Sequence, residues 1–228
     1  MKLIIANDHF IADIDGQKFI VDTGSPISFN YIGVSSLEIN GEQYRFSNQI
    51  VCPKEDAEKL VGINVDGFIG TDILKKTGLN IDMENNILEF SCNSDNADGV
   101  FATLSLNYFM GSYLITSDIC LGRQLDRVII DTGAPVPYVS ATLKRTFETT
   151  GEYYKDSSPI YGELSGEYSK ADLVFFVDGK EYHRPVKVGL MPGILDAFGM
   201  FDAIIGITAL SDKQVVFDFE NMRIRIKL

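Results

Sequence analysis

Residues 19 to 28 read FIVDTGSPIS, and residues 128 to 139 read VIIDTGAPVPYV. Aspartate and glycine both end strands readily, so a single Asp-Thr-Gly after three apolar residues needs to be no more than a turn. Here the tripeptide occurs twice, each time behind an apolar run and ahead of a small residue and a proline. That repetition points to a duplicated unit with its two aspartates in matched surroundings.

Working outward from these stretches, the second part of the chain restates the first. A strand and hairpin pattern precedes each copy: HFIADIDGQKFIV with Asp15-Gly16 as its turn, and SYLITSDICLGRQLDRVII with Gly122. A later hairpin recurs as LEINGEQYRF around Asn40-Gly41 and VFFVDGKEYH around Asp178-Gly179. Next come Phe68-Ile69-Gly70 and Ile204-Ile205-Gly206. LNIDMENNILEF then matches VVFDFENMRIRI, with Asp82 standing as far beyond Gly70 as Asp218 beyond Gly206. The polar run CNSDNADG at 92 to 99 reads as the linker, which predicts an N-terminal lobe over 1–95 and a C-terminal lobe over 96–228. Strand signals dominate, with short helices expected only at CPKEDAEKLV, TDILKKTG and SATLKRTFETT. The expected class is therefore all-β with short helices.

The copies differ in one place. About 29 extra residues separate the second Asp-Thr-Gly from its following hairpin, confined to roughly 140 to 172. They include PIYGELSGEYSKA, in which glycines bracket a polar tip between strand-like arms, and this predicts one long hairpin near 155–172.

Bulk properties exclude several functions. The chain has 228 residues, 45% of them hydrophobic, enough for one or two ordinary cores. Its 20 Lys and Arg against 32 Asp and Glu give a formal charge of -12, which argues against nucleic acid and anionic membranes as partners. The opening MKLIIANDHF is too short in apolar residues for a secretory signal. Residues 191 to 210 form the most apolar long stretch, but Asp196 and Asp202 argue against a membrane span and for buried core and loop. Cys52, Cys92 and Cys120, odd in number and without a C-x-x-C, suggest neither a disulfide framework nor a zinc site, and reduced thiols in the cytoplasm are expected. With only His9 and His183, neither a histidine metal cluster nor a Ser-His-Asp nucleophile is supported. IADIDGQ at 11 to 17 echoes the start of a haloacid-dehalogenase-type phosphatase, but Gln17 stands where threonine is expected, and a hairpin turn accounts for the stretch.

Two carboxylates, each delivered by a tight turn at the end of a buried strand, would meet between the halves of a duplicated chain. Like charges about 3 Å apart cannot both ionise, so the pair shares one proton and titrates in two steps. Asp22 and Asp131 are the catalytic candidates: one deprotonates a water attacking an amide carbonyl while the other donates to the carbonyl oxygen. This chemistry requires no metal or cofactor. Gly24 and Gly133 allow backbone to approach the carboxylates, and Thr23 and Thr132 are placed to turn their hydroxyls across to the opposite lobe. Each apolar pair with its glycine can pack beneath a turn as a floor. Ser25 and Ala134 complete the supporting positions. Only Ser25 offers a hydroxyl, expected to donate to the outer oxygen of Asp22, which makes Asp22 the usual anion and Asp131 the proton holder.

In both Asp-Thr-Gly signatures, both apolar-apolar-Gly segments and the closing VVFDFENMRI, in this order, the chain resembles single-chain aspartic proteases of the pepsin and retropepsin clan. The resemblance covers nearly the whole sequence. It implies an acid-protease fold of two similar lobes related by a pseudo-two-fold axis, and an aspartic endopeptidase acting on an extended peptide or protein substrate in the cleft between them. It also implies a monomer, since both halves of the site lie on one chain, and activity on the acidic side of neutral. IYGELSG is similar to the pepsin flap, which makes Tyr161 the implied flap tyrosine, followed by Gly162. Pepsin-like enzymes carry the flap in the first lobe, whereas here only the second half has room for it. The chain is also shorter than pepsins, and Met1 lies so near the first hairpin that no inhibitory prosegment is expected. A protease-like module that grips a peptide without cutting it is the alternative.

Overall fold

The computed structural model describes residues 1–92, 99–109, 112–117, 119–121, 128–158, 162–177, 180–193, 196 and 201–227. Strands dominate, and the class is mostly β as expected. In the first half, β1 (Leu3–Ala6), β2 (His9–Ile14) and β3 (Gln17–Val21) form an antiparallel meander. β4 (Phe29–Asn30) follows, then the hairpin β5 (Ser36–Ile39) and β6 (Glu42–Arg45). After α1 (Lys54–Val61) come β7 (Gly67–Ile69), α2 (Thr71–Thr77), β8 (Leu79–Asp82) and β9 (Ile87–Glu89). The Asp15-Gly16 and Asn40-Gly41 turns have φ of 53° and 85°, and 53° and 82°, the left-handed pairs that a tight hairpin needs.

In the second half, β10 (Val100–Phe109), β11 (Ser112–Ser117), β12 (Cys120–Leu121), β13 (Val128–Ile130) and β14 (Tyr138–Val139) lead to α3 (Ala141–Lys144). The inserted segment is β15 (Thr149–Ser158) and β16 (Gly162–Val177), paired from Ser158↔Gly162 down to Thr149↔Ser169, so a long hairpin stands where one was expected. β17 (Lys180–Leu190), β18 (Ala203–Ile205), α4 (Ile207–Leu210), β19 (Gln214–Asp218) and β20 (Arg223–Lys227) complete the chain. Gly122, Asp178-Gly179, Tyr161 and linker residues 93–98 lie outside the described residues.

The sequence repeat is also a repeat of strand pairing. β7 runs parallel to β3 (Ile20↔Phe68, Val21↔Ile69) and antiparallel to β4 (Phe29↔Phe68). β18 does the same with β13 (Ile129↔Ile204, Ile130↔Ile205) and β14 (Tyr138↔Ile204). FIV and VII lack polar alternation because both faces of β3 and β13 are covered. Val21 and Ile130 join the largest cluster, to which both halves contribute, while Ile20 and Ile129 point into separate clusters, one within each half.

β8 and β19 pair antiparallel (Gln214↔Asp82, Phe217↔Leu79), so strands of both halves share one 13-stranded sheet. Asp82 and Asp218 play a structural part, bracing the turns that follow their strands. Asp82 accepts from the backbone and side-chain amides of Asn85 at 2.9 and 2.8 Å, and Asp218 from those of Asn221 at 3.0 and 2.8 Å. Two helix expectations need correction. The third helix stops at Lys144, because Thr149 and Thr150 are β-branched residues that belong to β15. α4 was not foreseen, since ITAL is too short to show a helical period.

Candidate active site

The two Asp-Thr-Gly turns are built the same way. Each aspartate follows the last residue of a buried strand and donates its N–H into the facing one, Asp22 to Ile69 O and Asp131 to Ile205 O, both at 3.0 Å. Each turn is closed three residues on, Ser25 N–H to Asp22 O at 3.2 Å and Ala134 N–H to Asp131 O at 3.1 Å. Gly24 and Gly133 donate their N–H groups to Oδ1 of Asp22 and Asp131, each at 2.8 Å.

The threonines cross between the turns. Thr23 N–H donates to Thr132 Oγ1 and Thr132 N–H to Thr23 Oγ1, each at 2.9 Å. The hydroxyls donate onward, Thr23 to Ile130 O at 2.8 Å and Thr132 to Val21 O at 2.7 Å. Both side chains are buried, so every hydroxyl function is satisfied by the opposite half and none by solvent.

This grip sets each glycine against the other half's carboxyl. A Cβ added at Gly24 would lie 2.4 Å from Asp131 Oδ2, and one at Gly133 would lie 2.8 Å from Asp22 Oδ1. A side chain at either place would have to displace the facing carboxyl. The carboxyls are therefore neighbours across the junction. Although part of the Asp131 residue faces solvent, its carboxyl is packed round by other atoms. Burial pushes the Asp131 carboxyl well above the usual carboxylate range, and the charge of Asp22 and a hydrogen bond with it add to the rise. The N–H groups of Gly133 and Gly24 pull the other way without cancelling it. The direction of this shift agrees with the expected placing of the shared proton on Asp131, but its cause is burial beside a like charge.

The expected bond from the Ser25 hydroxyl to Asp22 does not form. Ser25 Oγ donates to Ile27 O at 2.9 Å, while its backbone N–H is what reaches Asp22 Oδ1, at 3.1 Å. A serine in a turn finds the nearby backbone carbonyl more easily than an acceptor across the turn.

Each apolar-apolar-Gly segment does lie against its turn. A Cβ at Gly70 would fall 2.6 Å from Ser25 O, and one at Gly206 would fall 1.9 Å from Ala134 O. The first floor carries polar braces that were not foreseen. Ser28 Oγ accepts from Gly70 N–H at 2.8 Å and donates to Asp72 Oδ1 at 2.6 Å. Thr71 donates from N–H to Ser25 O at 2.8 Å and from Oγ1 to Thr23 O at 2.9 Å. The contrast of FIGTD with IIGIT was the available signal.

The long hairpin is seated beside the second turn. Tyr154, Leu164 and Tyr168 from its arms pack with Ala134, Val136 and Tyr138. The Tyr154 side chain is wedged between strands: Cβ atoms at Gly166 and Gly189 would come within 3.0 Å of its hydroxyl and 2.9 Å of its ring. Tyr138 donates its hydroxyl to Asp156, and burial raises its pKa, with Asp156 adding to the effect. Gly162, at φ 75°, opens β16.

Other groups offer less. Burial pushes the Cys52 thiol up to about 11, so it is not a nucleophilic thiolate near neutral pH. His9 is buried in β2 with Nδ1 bonded to Asn7 O at 2.6 Å, and His183 sits between Glu181 and Asp172 on an exposed strand face. An open groove of about 550 Å³ is lined by Phe147, Lys170, Asp172, Val186 and Lys187, and neither aspartate of the pair borders it. Among the described residues no His, Cys, Asp and Glu cluster has metal-binding geometry, and no helix is long and apolar enough to cross a membrane. No protein-family model matches the chain, and no curated protein matches it.

Proposed function

We propose that this chain is an aspartic endopeptidase that hydrolyses peptide bonds of an extended polypeptide with a water held between Asp22 and Asp131. The observation that carries the reading is the reciprocal approach of Gly24 to the Asp131 carboxyl and of Gly133 to that of Asp22. Two carboxyls so placed share one proton. Asp131 holds it. Asp22 removes a proton from the water as its oxygen bonds to the amide carbon, and Asp131 donates to the carbonyl oxygen, giving a neutral gem-diol. Transfer of a proton to the amide nitrogen then lets the C–N bond break, releasing carboxyl and amine products and returning the dyad to one proton. No covalent intermediate forms on the protein.

The long hairpin over 155–172 is assigned as the flap, with Tyr161 as its tyrosine by the sequence resemblance, and the two halves as lobes that each supply one aspartate. Because one chain carries both, the active unit is a monomer. Free thiols at Cys52 and Cys92 support a reducing compartment such as the cytoplasm. Incubation with a reduced, unfolded protein at mildly acidic pH tests the reading. Wild type should produce discrete fragments, and Asp22→Asn or Asp131→Asn should lower the rate on the order of 10³-fold. Peptide retention without cleavage by wild type would instead identify a binding module.

A further inference from the structure

We propose that Asp72, acting through Ser28, is a positioning residue for the Asp22 carboxylate; this rests on the peptidase reading above. Asp72 Oδ1 accepts the Ser28 hydroxyl at 2.6 Å, and Ser28 Oγ accepts Gly70 N–H at 2.8 Å. The carbonyl of that same peptide link, Ile69 O, accepts Asp22 N–H at 3.0 Å. The 69–70 peptide is thus held at both ends, by the candidate base on one side and by a buried serine tied to a carboxylate on the other. Ser28 is fully buried, so water cannot replace either bond. Thr71 closes the circuit from the next position, bonding to the carbonyls of Thr23 and Ser25 within the turn itself. Asp72 is further fixed by Ile73 N–H at 3.0 Å.

The second half lacks these groups. Pro137 stands at the position of Ser28, Ile207 at that of Thr71 and Thr208 at that of Asp72. A base must keep its attacking oxygen aimed at the water, whereas a buried proton holder needs chiefly to be desolvated. The polar frame sits behind Asp22 and the apolar one behind Asp131, and that placement assigns Asp72 its role.

Two substitutions at one position isolate the hydrogen bond from the charge. Asp72→Asn removes the charge and keeps an acceptor oxygen; Asp72→Ala removes both. In cleavage of an unfolded protein, Asp72→Ala is expected to show kcat about tenfold below Asp72→Asn at similar KM. The lower of the two dyad midpoints, read by carboxyl ¹³C titration without any substrate, should lie higher in Asp72→Ala than in Asp72→Asn, because a loosened turn weakens the Gly24 and Ser25 N–H bonds to Asp22. Ser28→Ala cuts the same link without adding volume and should reproduce Asp72→Ala, with the double variant no worse than either single one. Asp72→Ala and Asp72→Asn alike in both readouts would overturn the proposal. A wild-type chain that does not cleave would count against the peptidase reading, while the midpoint difference would still decide the role of Asp72.

Discussion

The two halves present the same apolar face behind their aspartates and cover it differently. Ile20, Phe29 and Phe68 in the first half correspond in pairing to Ile129, Tyr138 and Ile204 in the second. Over the first set lie Ala57 and Val61 of α1, with Cys52 and Val65. Over the second lie Tyr154, Leu164 and Tyr168 of the hairpin, with Met191 and Phe201. The Asp-Thr-Gly frame needs a dry apolar backing, and either a helix or a hairpin provides it. Only the hairpin has length to spare beyond what it covers, and that surplus is where the proposed flap lies.

Four substitutions probe how far the equivalence of the two turns extends. The largest effect is expected from the glycines. Gly24→Ala places a methyl 2.4 Å from Asp131 Oδ2 and Gly133→Ala one 2.8 Å from Asp22 Oδ1, so both should abolish cleavage, and Gly24→Ala should lose more stability, about 3 kcal/mol by urea unfolding. Gly133→Ala proving the more damaging would contradict that order. Thr23→Val and Thr132→Val each strand a buried N–H and a buried carbonyl, and each should cost about 2 kcal/mol. The two losses should agree within about 0.5 kcal/mol, because these bonds are reciprocal; a wide gap would break the equivalence where it looks closest.

The aspartates should differ in pH dependence. Folded Asp131 keeps its proton above the pH, about 3.9, at which the unfolded chain loses it, so the folded state binds more protons and stability falls as pH rises through that window. Asp131→Asn removes this slope. It should melt above wild type at neutral pH, with the gap shrinking toward acid pH, and a gap independent of pH would argue against a retained proton. Ser25→Ala is the smallest change. With its hydroxyl on Ile27 O, the variant should lose less than about 1 kcal/mol and leave the acid limb of the pH-rate profile in place. A shifted limb would mean that Ser25 reorients toward Asp22 when substrate binds.

The frame was legible because duplication turned weak local signals into a strong one. Asp-Thr-Gly, the glycine-closed apolar pairs and Asn40-Gly41 each encode a turn or close approach in adjacent residues, and the structure bears them out. Contacts between distant side chains were not legible. Ser28 meets Asp72 across 44 positions, and neither residue has a local pattern announcing a partner. Ser25 failed as a prediction for the opposite reason, since a bond two residues away outcompeted the one expected from function. The third helix was drawn too long because SATLKRTFETT carries helix formers up to Phe147, while the pull of β16 on Thr149 is not written in that segment.

The wedge at Tyr154 sets how the hairpin can behave as a lever. The ring passes between Gly166 and Gly189 and its hydroxyl accepts Leu190 N–H at 3.1 Å, so the arms are fixed to β17 at that level. The swinging length is counted from position 154, not from the base of β15. A short, pre-stiffened arm has few torsions left to freeze when it closes, so ordering it costs little entropy. As the proposed flap, it would open on the microsecond to millisecond scale of active-site lids. A gate on that scale can share control of turnover with chemistry and product release.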